Sequence, residues 1–225
     1  FTTYRVYDPG AIIEIPPSVD LESAALVEPL AVGGRAILGK AGIHSSDVAV
    51  VSGPGPIGLL TAQLAKTEGA TVIVLGTTVD ETRLKVAREL GADIVLNVEE
   101  QDPLPLVLDL TYGAGADVVC ECAGVAASVS QCLDLARRGA QYIQLGTSAK
   151  KMSIDFAQIS YKELEVIGSF SSERIDWERG LNLMAQGKVN VNPLISHKLP
   201  LSQWREGFAL SENKQGIKVL LYPDE

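Results

Sequence analysis

A short apolar run, Val48-Ala49-Val50-Val51, leads through Ser52 into Gly53-Pro54-Gly55-Pro56-Ile57-Gly58, and residues 57–68 then carry helical spacing. This junction constrains the chain more than any other feature. A strand that is apolar at every position is buried on both faces. The glycines fit G-x-G-x-x-G, and each has a physical task. Gly53 permits the tight turn, Gly55 lets backbone N–H groups approach a pyrophosphate, and Gly58 allows the helix to pack closely on the strand. Pro56 and Ile57 open a helix whose positive dipole end faces the phosphates. The alternative is a glycine-rich turn that merely joins strand to helix.

The rest of the middle of the chain repeats the same rhythm. Strand signals recur at 71–75, 94–97, 116–121, 141–145 and 164–169, with helical stretches at 80–90, 126–138 and 176–186. Asp80 is a candidate N-cap and Gly91 a candidate C-terminal stop for the first of these helices. Buried strands alternating with helices predict a parallel, doubly wound α/β sheet with right-handed crossovers over residues 20–190. The ends break the rhythm. Residues 1–19 read as strand and turn, and residues 191–225 hold two β-like pieces around a short helix at 203–210. Neither end can bury itself alone, so both are expected to belong to a second domain. The start at Phe1, inside a strand-like pattern at Thr3 to Tyr7, suggests a piece of a longer protein.

In the dinucleotide fold an acid about 20 residues past the glycines, at the next strand's tip, binds the ribose 2′-hydroxyl of NAD. That tip here is Gly76-Thr77-Thr78, and the first acids, Asp80 and Glu81, lie beyond it. Small neutral residues would not repel a 2′-phosphate, and Arg83 lies one turn into the following helix, within reach of one. The expected cofactor is therefore NADP or NAD, with a lean to NADP; a merely solvated Arg83 is the alternative. Methyltransferase and FAD folds also want an acid at that tip. A short-chain dehydrogenase needs Tyr-x-x-x-Lys, and none of the 6 tyrosines is followed by Lys four residues later.

Composition narrows the function classes. A net charge of −9 without a basic stripe disfavours nucleic-acid binding. No apolar run approaches the length of a membrane span, and no signal-peptide pattern is present. Three closely clustered cysteines, Cys120, Cys122 and Cys132, are too few for a disulfide framework and favour a cytoplasmic setting. Cys120 and Cys122 share one side of a strand, but their spacing is not CxxC and no His is near in sequence. They read as small buried apolar residues. His44 falls in a solvated loop and His197 in a returning strand.

The segment Ala24-Ala25-Leu26-Val27-Glu28-Pro29-Leu30-Ala31-Val32 resembles the linker helix of zinc-dependent medium-chain dehydrogenases, the sorbitol and threonine dehydrogenases above all. Gly53 to Gly58, Thr82 to Ala87 with Arg83-Leu84, Glu121-Cys122-Ala123-Gly124, Gly168-Ser169-Phe170 and Ile195 to Leu201 follow in the family's order. The resemblance implies a Rossmann domain at 20–190, with remnants of a barrel-like (GroES-like) catalytic domain at 1–19 and 191–225. It also implies a homodimer or homotetramer built through the sixth strand. The family's catalytic zinc binds a Cys and a His-Glu pair of that other domain, and in this sequence the resemblance places only Glu28 at the metal. A charged residue on an exposed helix face is the alternative for Glu28.

Ligands of such sheets lie outside the carboxyl ends of the strands. Those ends are Gly53, Gly76-Thr77, Cys122-Ala123-Gly124, Leu145-Gly146-Thr147 and Ser169-Phe170. By resemblance, Cys122 to Gly124 runs near the adenosine ribose, while Leu145 to Thr147 and Ser169-Phe170 border the nicotinamide. The implied activity is hydride transfer between a small alcohol or polyol and the nicotinamide, with zinc as Lewis acid in the full-length protein. The competing expectations are a zinc-free quinone or enoyl reductase of the same superfamily and a non-catalytic dinucleotide-binding module.

Overall fold

The computed structural model describes residues 6–224. Six strands form one parallel sheet: β1 Val48–Ser52, β2 Thr71–Gly76, β3 Ile94–Asn97, β4 Ala116–Glu121, β5 Ala136–Gln144 and β6 Glu165–Gly168. Their spatial order is β3-β2-β1-β4-β5-β6, so the chain winds outward from β1 in both directions and reverses between β1 and β4. That reversal opens a crevice at the carboxyl ends of the two strands. The expected doubly wound parallel sheet is present.

Its burial on both faces follows from the two-residue repeat of a strand. Ala49, Val51, Val72, Val74, Val118 and Cys120 belong to one core, and Val48, Val50, Ile73, Leu75 and Val119 to the other. The first core is closed by α2 Val27–Gly34, α3 Pro56–Thr67 and α4 Glu81–Glu89, while α1 Leu21–Ala24 places Ala24 in a separate small cluster with Val19, Val27 and Leu181. The second lies under α5 Pro103–Leu110, α6 Ala126–Leu135 and α7 Ala157–Tyr161. Then α8 Arg174–Ala185 packs on α2. Beyond it, β7 Ile195–Pro200 and β8 Lys218–Tyr222 pair in parallel, with α9 Trp204–Glu212 between them. Leu194, Ile217 and Leu220 carry this unit into the first core.

Three sequence expectations change. Helix α5 was not foreseen, because two prolines interrupt its short apolar run. Asp102 nevertheless caps it, accepting from the Leu104 N–H at 3.0 Å, with Pro103 as its first residue. Helix α6 stops at Leu135 rather than continuing to 138. The chain turns into β5 there, with a register irregularity against Ala116–Val118. In residues 6–16 the one regular element is the 3-10 turn Pro9–Ala11; the strand-like pattern at Thr3 to Tyr7 falls mostly outside the described residues. Among the described residues no helix is long and apolar enough to cross a membrane.

Candidate functional site

The glycine turn occupies the crevice. Gly53 has φ +100°, and a Cβ there would lie 2.8 Å from the Ala123 nitrogen. At Gly58 a Cβ would lie 2.0 Å from the Gly53 carbonyl oxygen, so α3 can sit this close to β1 only without a side chain. Gly55 differs. Its backbone is extended, and a Cβ there would meet nothing within 4 Å. The space beside Gly55 is a cleft of about 300 Å³. Helix α3 begins at that cleft with no side-chain cap, so its first-turn N–H groups are left for a ligand. An open cradle facing an uncapped helix start fits a pyrophosphate.

The cleft brings together Gly53, Gly55, Gly76, Thr77, Arg83, Cys122 and Ala123 from the sequence-derived set. Pro56, Ile57 and Gly58 form the first turn of α3 behind it. Gly124, Leu145, Gly146 and Thr147 do not line it. Gly124 instead packs on the loop after β5, where a Cβ would lie 2.4 Å from the Thr147 carbonyl oxygen. Ser169 and Phe170 follow β6, away from the cleft. Phe170 is exposed, whereas the Ser169 hydroxyl is buried with no hydrogen-bond partner among the described residues.

Two residues matter more than their sequence positions suggested. Asp80 does not cap α4 with its side chain. A 3-10 turn over Thr78–Asp80 folds it back onto the strand tip, where one carboxylate oxygen accepts from the Thr77 N–H at 3.2 Å and the Thr77 hydroxyl at 2.8 Å. An acid thus reaches the cleft from beyond the strand. Arg83 is not solvated: Nη1 donates to the other Asp80 oxygen at 3.3 Å and Nη2 to the Gly216 carbonyl at 2.8 Å.

Glu121 is fully buried at the end of β4. One carboxylate oxygen accepts from Ala123 N–H (3.0 Å), Gly124 N–H (2.9 Å) and Ser128 Oγ (2.7 Å), and the other from Gln144 Nε2 (2.5 Å). Ser128 also bonds Ser52 at 2.8 Å, and both serines line the cleft. One carboxylate therefore fixes the turns after β4 and β5. The sequence carried one signal for it, an acid that ends a strand just after the apolar run Val118-Val119-Cys120.

Burial pushes the Cys120 thiol up to about 12 and raises those of Cys122 and Cys132. Cys120 and Cys132 pack as buried apolar groups, while half-buried Cys122 borders the cleft. His44 is exposed near Asp47 and His197 lies in β7. Glu28 is exposed in the first turn of α2. Among the described residues no three His, Cys, Asp or Glu side chains converge, so these residues do not themselves build a zinc site.

Known proteins place this geometry. Sorbitol dehydrogenase from Halalkalibacterium halodurans is 42% identical over 224 residues, a match covering 99% of this chain and 65% of that protein. The crystal structure of 2R,3R-butanediol dehydrogenase from Bacillus subtilis superposes with a TM-score of 0.84 at 30% identity, over 94% of this chain and 60% of that one. A candidate zinc-binding dehydrogenase from Sinorhizobium meliloti 1021, solved bound to NADP, gives 0.80 at 32% identity, over 94% and 62%. The chain thus spans between 60% and 65% of these relatives' lengths. The sequence profile described as zinc-binding dehydrogenase matches residues 56–186, from the first residue of α3 to just past the end of α8. With more than half of its sequence inside that profile, the chain belongs to the zinc-binding dehydrogenase family.

Proposed function

We propose that this chain is the nicotinamide-dinucleotide-binding part of an oxidoreductase that moves a hydride between a secondary alcohol or polyol and the nicotinamide of NADP or NAD. The observation that carries the reading is the open space beside Gly55, facing the uncapped start of α3 on a doubly wound sheet. The substrate class follows the relatives, which include a sorbitol and a butanediol dehydrogenase. In this reading residues 20–190 bind the dinucleotide, while residues 1–19 and 191–225 belong to a second, barrel-like domain.

The pyrophosphate would rest on Gly53, Gly55 and the N–H groups of Ile57 and Gly58, and the adenosine ribose between Gly76-Thr77 and Cys122-Ala123. Loops 145–147 and 169–170 would border the nicotinamide. When bound, the nicotinamide supplies the hydride acceptor. The residues of this chain orient it and exclude water. Zinc would serve as a Lewis acid at the substrate oxygen with Glu28 beside it, but Glu28 alone does not hold a metal, and no step is assigned through it. The protein would self-associate as a homodimer or homotetramer and work in a reducing, cytoplasmic setting that keeps its free thiols intact.

Calorimetric titration with ADP-ribose tests the dinucleotide reading, and zinc quantitation with a polyol-dependent reduction of NAD or NADP tests the chemistry. Absence of ADP-ribose binding removes the first; reduction of an enone without zinc replaces the second.

A further inference from the structure

The strand tip of β2 is completed by a residue from the far end of the sequence. Lys214 is exposed in the turn between α9 and β8 and lines the same cleft as Gly55, Gly76 and Arg83. The bond from Arg83 Nη2 to the Gly216 carbonyl fastens this turn against α4 at 2.8 Å. Lys214 Nζ stands 3.9 Å from the same Asp80 oxygen that Arg83 engages. Among the described residues the charged side chains lining the cleft are Asp80, Arg83 and Lys214, two cations against one anion, which leaves one positive charge in excess.

That excess bears on the ligand. Asp80 alone would repel a phosphate on the ribose 2′-oxygen, and the charge of Arg83 is already directed at Asp80. Arg83 still holds its Nε buried without a partner among the described residues. Lys214 is exposed, and its ammonium makes the long contact to Asp80.

We propose that Lys214 is a specificity-determining residue: its ammonium supplies the charge that lets this cleft accept a nucleotide phosphorylated on the 2′-oxygen of its ribose despite Asp80. This rests on the dinucleotide reading of the cleft. A 2′-phosphate carries close to two negative charges. Against an exposed ammonium the gain is limited by solvent and amounts to roughly fivefold in affinity. It is erased by salt, because an open site is screened.

The test is calorimetric titration of the protein and its Lys214→Gln and Lys214→Arg variants with adenosine 2′,5′-bisphosphate and with adenosine 5′-monophosphate. Lys214→Gln should weaken the bisphosphate about fivefold, leave the monophosphate within about twofold, and lose most of the salt dependence of the difference. Lys214→Arg should keep the preference. Equal weakening of both nucleotides, or no change in either, overturns the role of Lys214 while leaving the cleft a nucleotide site. Failure of the unaltered protein to bind either nucleotide overturns the dinucleotide reading, and the assignment of Lys214 with it.

Discussion

The guanidinium of Arg83 donates to the carbonyl oxygen of Gly216 at 2.8 Å, a contact between residues 133 positions apart. The same side chain bonds Asp80. Arg83 thus joins the strand tip of the sheet to the C-terminal turn and neutralises the acid that lines the cleft.

Arg83→Ala should therefore act on the 2′-phosphate through Asp80. With its partner gone, the Asp80 carboxylate has only the long contact to Lys214 to offset its charge in the cleft. NADP binding should fall by roughly tenfold to a hundredfold, the equivalent of a charged hydrogen bond of about 1.5–3 kcal/mol, with a smaller loss for NAD. Comparative titration of the two cofactors decides it: a clear NAD preference in the unaltered protein, untouched by the substitution, would refute this account of the strand tip.

Gly55→Val should abolish dinucleotide binding and leave the fold standing. The backbone at Gly55 is extended and the added atoms enter open space, so no protein contact is violated. They would take the volume of the pyrophosphate. Circular dichroism should be unchanged while calorimetric heats vanish; retained affinity would remove the pyrophosphate from this turn.

Glu121→Leu should destabilise the protein, because it strands the Ala123 and Gly124 N–H groups in a buried site and leaves Ser128 only its bond to Ser52 and the Gln144 amide nitrogen only its bond to the Gly146 carbonyl. Each unsatisfied donor costs about 1–3 kcal/mol, less where water or a neighbour compensates. Glu121→Gln keeps an acceptor and should lose less. Urea midpoints at constant m-value measure both, and a leucine variant as stable as the parent would show that the carboxylate is dispensable.

Glu22 ties α1 to the β7–β8 pair, accepting from Lys198 Nζ and, at 2.5 Å, from the Tyr222 hydroxyl. The Lys198 ammonium, followed by the Tyr222 hydroxyl, holds its carboxyl below the ordinary 4.5. A depressed folded-state pKa contributes stability above the unfolded value and loses it as pH falls through the folded one. The Tm difference between the parent and Glu22→Gln should thus be constant near neutrality and close below about pH 4.5. A gap that persists undiminished into strong acid would mean that the contact acts by packing alone.

Among the described residues strand β6 pairs only with β5, and Val166 on it is exposed. An unprotected edge of this kind invites pairing with a second copy. Val166→Lys should shift the protein toward monomer in light scattering. A parent that is already monomeric at high concentration would count against an interface at β6.

The strands, their parallel order and the glycine turn were legible in the sequence, because each is written in local spacing. Apolar runs such as Val48 to Val51 demand burial on both faces, and Gly53, Gly55 and Gly58 stand where a pyrophosphate-binding turn needs them. Helix α5 was hidden by Pro103 and Pro105, which suppress the helical pattern although the first of them suits a helix start. The electrostatics of the cleft was decided only by the tertiary structure. Asp80 reads as a helix cap until the turn after Thr77 folds it back, and Glu121 reads as one more strand residue until four donors surround it. Nothing near Arg83 in sequence announces Gly216 or Lys214. Local periodicity specifies which face of an element is buried, but the meeting of α4 with the turn before β8 depends on how the whole sheet closes its first core. The charge that a ligand meets at the tip of β2 is set by that closure.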